Sequence, residues 1–400
     1  MDISLFGYGK TTKAIADRIK ECKIFDDNIE KIITKDTHTI YPSSMFDPDK
    51  SELEIPSPGI PPCNPMIKKA KHLMSDYDFF FQKSKNQQFS IWISGTNGKT
   101  TTTKMIGHLL KDKGGIIGGN VGTPLAELQK KSGIYILETS SFTLHYTNTA
   151  KPNIYILLPI SEDHISWHGS YKEYTKAKLK PLKYLKEGEV AIIPKEYKAT
   201  DTKGFKITYE NTDKLAEYFD MDTKKINFTD PFLLDAVMAL GVYKILFDEI
   251  PYEKINSFCI DPHRIEEFTD EKGRLWVNDS KGTNIHATIN AVKRYQNKTI
   301  HLILGGDDKG ADLSPLFEVL KNLDIYIYAT GSNKDKILNL SNKIEKNVTK
   351  CTTLNEAINQ IDKKHNIQSI ALLSPAASSL DEYPSYKDRG NLFKELVKNI

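Results

Sequence analysis

The chain of 400 residues contains only four cysteines, Cys22, Cys63, Cys259 and Cys351, and no two of them have zinc-ligand or Cys-x-x-Cys spacing. Thiols scattered in this way are expected to be reduced packing residues, which excludes a disulfide scaffold and a zinc ribbon. Net charge is also scarce: 55 Lys and Arg against 52 Asp and Glu leave +3. A strongly basic nucleic-acid binder and an acidic solvating chain are both excluded, although a local patch is not. No run approaches 18 consecutive apolar residues, so no membrane-spanning helix is expected. The opening MDISLFGYGK lacks the basic region and long apolar stretch of a signal peptide. What remains, 39% apolar and 27% charged residues, is the mixture of a soluble globular protein. The expectation is a cytoplasmic chain of two or three domains, at about 150 residues per domain.

Short apolar runs alternate with helical patterns along most of the length. DISLF (2–6), a glycine turn, a helical pattern to about Lys20 and KIFDD make a βαβ unit. Residues 34–66 are rich in proline and turns, and polar KSKNQQ precedes a new strand, FSIWIS (89–94). That places a first boundary near Gln88. IYILE (134–138) and NIYILLPI (153–160) fit buried parallel strands, and FLLDAVMALGVYKILF (232–247) reads as a helix. After a second boundary near Asp261-Pro262, the runs RLWVNDS, TIHLILGG, DIYIYATG and SIALLSP read as four more strands. The expected fold class is α/β in three domains: a Rossmann-like domain over 1–88, a central P-loop domain with a parallel sheet over 89–260, and a second Rossmann-like domain over 261–400.

Chemistry concentrates at strand ends. Gly95-Thr96-Asn97-Gly98-Lys99-Thr100-Thr101 follows a strand and opens a helix, so backbone N–H groups and a helix N-terminus can face phosphate oxygens. Lys99 would place a charge on the β/γ-phosphates and Thr100 a hydroxyl on Mg²⁺. The generic motif has glycine five residues before Gly98, where Ile93 stands, so the loop is a shorter variant. Glu138 closes a strand, where α/β sheets bind ligands, and suits Mg²⁺; a surface acid is the bland alternative. By residue type alone, His164 reads as a capping or core histidine. Lys178, in YKEYTKAKLK, reads as part of a solvated face. Polar clusters also follow the later strands, at Pro262-His263-Arg264, Asn278 to Asn284, Gly305 to Lys309 and Ser374 to Asp381. Each alone could be turn chemistry, but together they suggest a convergent site. In the first segment Gly7-Tyr8-Gly9-Lys10-Thr11 can admit a phosphate. Asp26 stands about where a Rossmann ribose-binding acid would lie, yet Thr12 occupies the third glycine position of a dinucleotide fingerprint.

GTNGKTTT, ETSSFTL, SEDHISWHGSYKEYTKAK, PHR, NDSKGTN, GGDDK and LSPAASSLD occur in this order. The set resembles the Mur ligase family, in particular its D-glutamate-adding branch, over nearly the whole chain. The resemblance implies an ATP-dependent amide ligase of peptidoglycan precursor synthesis. Such an enzyme would phosphorylate the carboxylate of UDP-N-acetylmuramoyl-L-alanine and let D-glutamate displace phosphate. It implies Glu138 and His164 as Mg²⁺ ligands, with two ions expected, and Lys178 as a carbamate formed with CO₂. It implies that Gly9, Lys10, Thr11, Ser57 and Gly59 bind the uridine diphosphate and that Asn120 contacts the same substrate. Arg264 and Asp279 would lie near ATP, and Thr283, Lys309, Ser379 and Tyr386 around D-glutamate, in a monomeric enzyme. The chain departs from the family pattern at Pro159, which replaces an Asn, at Tyr386, which replaces a Phe, and at Phe232 and Asp235, which replace two asparagines of the adenine pocket. Two alternatives stay open. A folylpolyglutamate synthase shares the later segments but lacks a nucleotide-sugar domain before the P-loop. A non-catalytic nucleotide-sugar binding protein would not need Lys99, Thr100, Glu138, His164 and Lys178 together.

Overall fold

The computed structural model describes residues 2–19, 21–83, 88–128 and 132–400. The chain divides into two compact units, Met1–Phe258 and Cys259–Ile400. Residues 84–87, at the first expected boundary, and Lys20, at the end of the first expected helix, lie outside the described residues. No helix among the described residues is long and apolar enough to cross a membrane.

The first unit holds two sheets. Strands β1 (Ile3–Phe6), β2 (Cys22–Asp26), β3 (Ile33–Lys35), β4 (His38–Pro42) and β5 (Leu53–Pro56) pair in the order β3-β4-β2-β1-β5. All neighbours are parallel except the β3–β4 hairpin. That hairpin lies in the stretch read as turns. Asp36 and Thr37, both at positive φ, supply the tight reversal that right-twisted strands require.

The second sheet is wholly parallel. Its strands are β6 (Ser90–Ser94), β7 (Gly115–Gly119), β8 (Ile134–Glu138), β9 (Ile154–Leu157), β10 (Val190–Pro194) and β11 (Phe205–Tyr209), in the order β11-β10-β9-β6-β8-β7. Strand β6 is buried along its entire length, as expected of an apolar run covered on both faces. Tyr77 and Phe81 pack edge-on against Trp92, with ring centroids 4.8 and 5.6 Å away. The run NIYILLPI stops being strand after Leu157. Beyond it the backbone bends under the phosphate loop, where the Pro159 carbonyl accepts the Thr96 N–H at 3.1 Å. Phe232–Phe247 is a helix whose residues Asp235–Tyr243 are all buried. A helix apolar all round must be enclosed, and this one packs along the phosphate-loop helix Lys99–Leu109.

The second unit carries one sheet: β12 (Glu266–Thr269), β13 (Leu275–Asn278), β14 (Ile300–Gly305), β15 (Ile325–Thr330), β16 (Asn347–Lys350) and β17 (Ile370–Leu373). The order is β12-β13-β17-β14-β15-β16, with only β12 antiparallel.

One buried carboxylate ties the helix Asp76–Lys83 to the second sheet. Asp78 accepts the N–H groups of Asn148, Thr149 and Ala150 at 2.7–2.8 Å and the Thr149 hydroxyl at 2.9 Å. Asp78→Ala orphans one buried and three partly buried donors and should destabilise the first unit by about 2 kcal/mol or more. Denaturant titration followed by tryptophan emission reads this, and an unchanged midpoint would remove the anchor.

Candidate functional site

In the second sheet β6 is the strand at which the order reverses, with β8 on one side and β9 on the other. Ligands in open α/β sheets bind at the carboxyl ends of such strands. Three segments singled out in the sequence leave these ends: the loop after β6, Glu138 at the end of β8, and Ser161 to His164 after β9. Two glycines make the loop possible. Gly95 has φ +135°, and a Cβ there would lie 2.5 Å from the Leu158 Cβ. Gly98 has φ +83°, and its Cβ would lie 2.5 Å from Asp235 Oδ1. Thr96 is fixed by the Ser161 N–H, which its hydroxyl accepts at 2.9 Å, and lies 2.9 Å from the Tyr174 hydroxyl.

Two lysines converge on one carbonyl. Lys99 Nζ donates to Gly95 O at 2.9 Å and to Thr96 O at 2.7 Å. Lys178 Nζ donates to the same Gly95 O at 2.7 Å and lies 4.7 Å from the Tyr174 ring centroid. Lys178 is only 1% exposed. This corrects the solvated-face reading: Tyr174, Ala177 and Lys178 form the inward face of the helix Tyr171–Leu179, while Lys176 is exposed. Burial, and then the neighbouring Lys99 charge, push the Lys178 amine well below the ordinary lysine range, with Asp163 and Glu138 pulling the other way.

Glu138 is buried. Oε1 accepts from Asn120 Nδ2 at 2.7 Å, whereas Oε2 has no hydrogen-bond partner. An unpartnered buried carboxylate oxygen beside a phosphate loop is a hard donor that fits Mg²⁺, which binds one or two carboxylates and otherwise phosphates and water. Among the described residues no three His, Cys, Asp or Glu side chains form a metal cluster, so a cation here would also need Thr100 and oxygens from substrate. His164, with φ +54°, stands at the N-cap of the short helix Ile165–His168. Its side chain is 45% exposed and its ring lies edge-on to Phe142 at 4.7 Å. His168, which no sequence signal marked, is buried, with Nε2 2.9 Å from the Ser141 hydroxyl and Nδ1 unpartnered. Burial, then the neighbouring His145, His164 and Lys178, hold it down to about 4. Asp235 is spent beneath the loop, accepting the Thr102 hydroxyl at 2.8 Å.

The turns of the first sheet meet. A Cβ on Gly7 would lie 3.4 Å from the Ser57 Cβ, and one on Gly9 would lie 3.4 Å from the Ser57 hydroxyl. Asp26 is occupied internally. It accepts the Tyr8 N–H at 2.6 Å and both the Asn28 N–H and amide at 2.8 and 3.0 Å, so it shapes the glycine turn. Thr12 replaces the third fingerprint glycine and bonds Gly7 O at 2.6 Å. Lys10 reaches Gly122 O, beside Asn120, at 2.7 Å, and Thr11 follows it on the same helix. The Gly59 and Ile60 carbonyls accept from Trp167 Nε1 at 3.0 Å and the Tyr146 hydroxyl at 2.7 Å. Sequence reasoning singled out neither aromatic.

In the second unit the polar turns leave β13, β17 and β14, which are adjacent. Asp279 is buried, accepting the Ser374 hydroxyl at 2.7 Å and the Ile265 N–H at 3.3 Å. Burial pushes its carboxyl up to about 7, against the lowering effect of these bonds and of Arg264 and Arg389. Buried Arg389 clamps two turns, donating to the Ser280 hydroxyl and carbonyl at 3.0 and 2.9 Å and to Ala377 O at 3.2 Å. Lys309 is exposed, at φ +51°, and its N–H bonds Asp307. Its turn pairs with that of buried Ser379 through the Asp307–Ser378 bridge. Lys281 lies 4.3 Å from the Tyr386 ring centroid, and the Thr283 N–H bonds Lys281 O. Arg264 Nε is 4.0 Å from Asp261.

Residues 93–230 match the Mur ligase middle domain, and residues 263–377 match the Mur ligase glutamate ligase domain. A UDP-N-acetylmuramoylalanine–D-glutamate ligase of Campylobacter jejuni subsp. jejuni is 52% identical over 100% of both chains. One from Helicobacter pylori is 44% identical over 99% of both. Among solved structures, the MurF ligase of Thermotoga maritima in complex with ADP has a TM-score of 0.62 at 14% identity, covering 99% of this chain and 94% of that one. E. coli FolC in complex with DHPP and ADP has a TM-score of 0.55 at 14% identity, covering 77% of this chain and 88% of that one. At these identities the solved structures establish the fold.

The raised Asp279 carboxyl has a consequence for stability. The folded chain keeps a proton there that the unfolded chain, at 3.8, has already lost. That contribution is therefore lost as pH rises from about 4 to about 7. Asp279→Asn lacks this titration. Its unfolding free energy relative to wild type should rise across the window by roughly 2–4 kcal/mol. Denaturation at several pH values reads the difference, and a pH-independent one would refute the protonated carboxyl.

Proposed function

The chain belongs to the Mur ligase family, and from that premise we propose that it is the ATP-dependent ligase that joins D-glutamate to UDP-N-acetylmuramoyl-L-alanine. The relatives aligned over their full length carry this activity in their names, which does not favour the folylpolyglutamate alternative. The observation that carries the chemistry is the convergence of Lys99 and Lys178 on one loop carbonyl, which places a cation for the polyphosphate beside a buried amine.

In this reading residues 1–88 hold the uridine nucleotide, 89–260 bind ATP and 261–400 bind the amino acid, in a monomer working in the cytoplasm. The amides of Gly95 to Thr101 and the Lys99 ammonium hold the ATP phosphates. Asn120 keeps one oxygen of Glu138 engaged, leaving the other for a cation. Thr100, Glu138, His164 and carbamylated Lys178 would hold Mg²⁺, in two sites. The metal would supply charge neutralisation for the transferring phosphoryl group. The alanyl carboxylate takes the γ-phosphoryl group to give an acyl phosphate and ADP. The D-glutamate amine, placed by Thr283, Lys309, Ser379 and Tyr386, attacks the acyl carbon. Phosphate leaves with the P–O bond intact, and the amine proton goes to solvent. Arg264 and Asp279 would serve ATP binding, Asp279 by shaping its turn.

Burial of Lys178 supports the carbamate reading. A neutral amine adds CO₂ to give an N–carboxylate anion and releases one proton. Two hard oxygens then stand where an ammonium would repel the metal. Lys178→Ala is expected to lower turnover about a hundredfold or more. Acetate should restore part of the loss by supplying the missing carboxylate. Normal turnover in Lys178→Ala would eliminate the carbamate.

Phosphate release with UDP-N-acetylmuramoyl-L-alanine and ATP, measured across acceptor amino acids, tests the activity. D-glutamate is expected to be the preferred acceptor. Preference for L-lysine, diaminopimelate or D-Ala-D-Ala would reject the assignment, and binding without turnover would favour a non-catalytic nucleotide-sugar binder.

A further inference from the structure

The turn Ser57–Ile60 belongs to the first sheet, yet its orientation is held by side chains of the second. Trp167 Nε1–H donates to Gly59 O at 3.0 Å and the Tyr146 hydroxyl to Ile60 O at 2.7 Å. Two successive carbonyls are thus anchored on one side. A planar trans peptide points its N–H opposite its C=O, so anchoring Gly59 O fixes the direction of the Ile60 N–H, and anchoring Ile60 O fixes the plane of the Ile60–Pro61 peptide, which has no N–H. The donors are themselves fixed. Phe142 stacks on Trp167 at 4.5 Å, and Tyr146 packs edge-on to it at 5.9 Å. Phe142 also meets the His164 ring at 4.7 Å. One aromatic cluster therefore touches both the turn and the loop that carries His164.

We propose that Trp167 is a positioning residue: its indole N–H holds the Ser57–Ile60 turn in register with the His164 loop and so sets the affinity for the uridine-nucleotide substrate. This rests on the reading that the turn binds that substrate. The Trp167 indole bonds a backbone carbonyl of the turn, so its influence on the substrate passes through peptide geometry. Phenylalanine is the informative replacement, because it keeps a ring for Phe142 to stack on and removes the N–H.

Two readouts separate the clamp from the substrate reading. Without ligand, Trp167→Phe should exchange the Ile60 amide, bonded to Ser57 O at 3.0 Å in the wild type, about tenfold faster or more, since the turn loses an anchoring hydrogen bond. With ligand, UDP binding by calorimetry should be about tenfold weaker, with KM for UDP-N-acetylmuramoyl-L-alanine raised by a similar factor while KM for ATP stays within about twofold. Tyr146→Phe, which removes the other anchor and keeps its ring, should shift the same quantities in the same direction. Unchanged exchange and unchanged UDP affinity in Trp167→Phe would overturn the clamp, as would an equal rise in both KM values. If the wild type failed to bind UDP, the substrate reading of the turn would fall, and exchange alone would decide for or against the clamp.

Discussion

Two lysine side chains donate to a single carbonyl oxygen, Gly95 O, and the candidate site is organised around that crowding. Two positive charges bonded to one oxygen at 2.9 and 2.7 Å cannot be more than about 5.6 Å apart and repel by roughly 3 kcal/mol or more at an effective dielectric of about 20. Burial of one of them adds a desolvation cost. The repulsion is relieved by an anion or by loss of a proton from the buried partner. The polyphosphate of ATP answers the first need. The lowered basicity of Lys178 favours the second, and in the proposed reading the amine that has shed its proton reacts with CO₂. Glu138, buried with one oxygen unpartnered, supplies the opposite charge that a bound cation requires.

Sheet topology determines which residues can meet. In the second sheet the order reverses at β6, so the segments after β6, β8 and β9 open side by side. In the second unit β17 is inserted between β13 and β14, and their three following turns are joined by Asp279, Arg389 and the Asp307–Ser378 bridge. Asp279 and Arg389 hold backbone, and Asp26 does the same in the first sheet. Each is a polar group that shapes a turn from within.

Contiguous chemistry was legible in the sequence. The loop Gly95–Thr101 announces itself because its glycines, lysine and threonine act through neighbouring atoms, and Phe232–Phe247 because a long apolar run admits one reading. Lys178 was not legible from residue type: a basic helix reads as solvated, and only the packing of Tyr174 and Ala177 beside it turns that face inward. Strand β7, Gly115–Gly119, has too many glycines to read as a strand, yet full pairing with β8 makes it one. Strands β10 and β11 flank a polar stretch and gain their identity from parallel pairing with each other. Trp167 and Tyr146 had no local signal, because the carbonyls they hold are more than 80 positions away in sequence.

In the proposed reading the buried Lys178 amine sheds its proton and binds CO₂, and carbon-13 NMR of the whole protein supplied with labelled bicarbonate tests this. A carbamate carbonyl resonance in the wild type that disappears in Lys178→Ala is the predicted result. Identical spectra from the two proteins, with Mg²⁺ and ATP present, would contradict it.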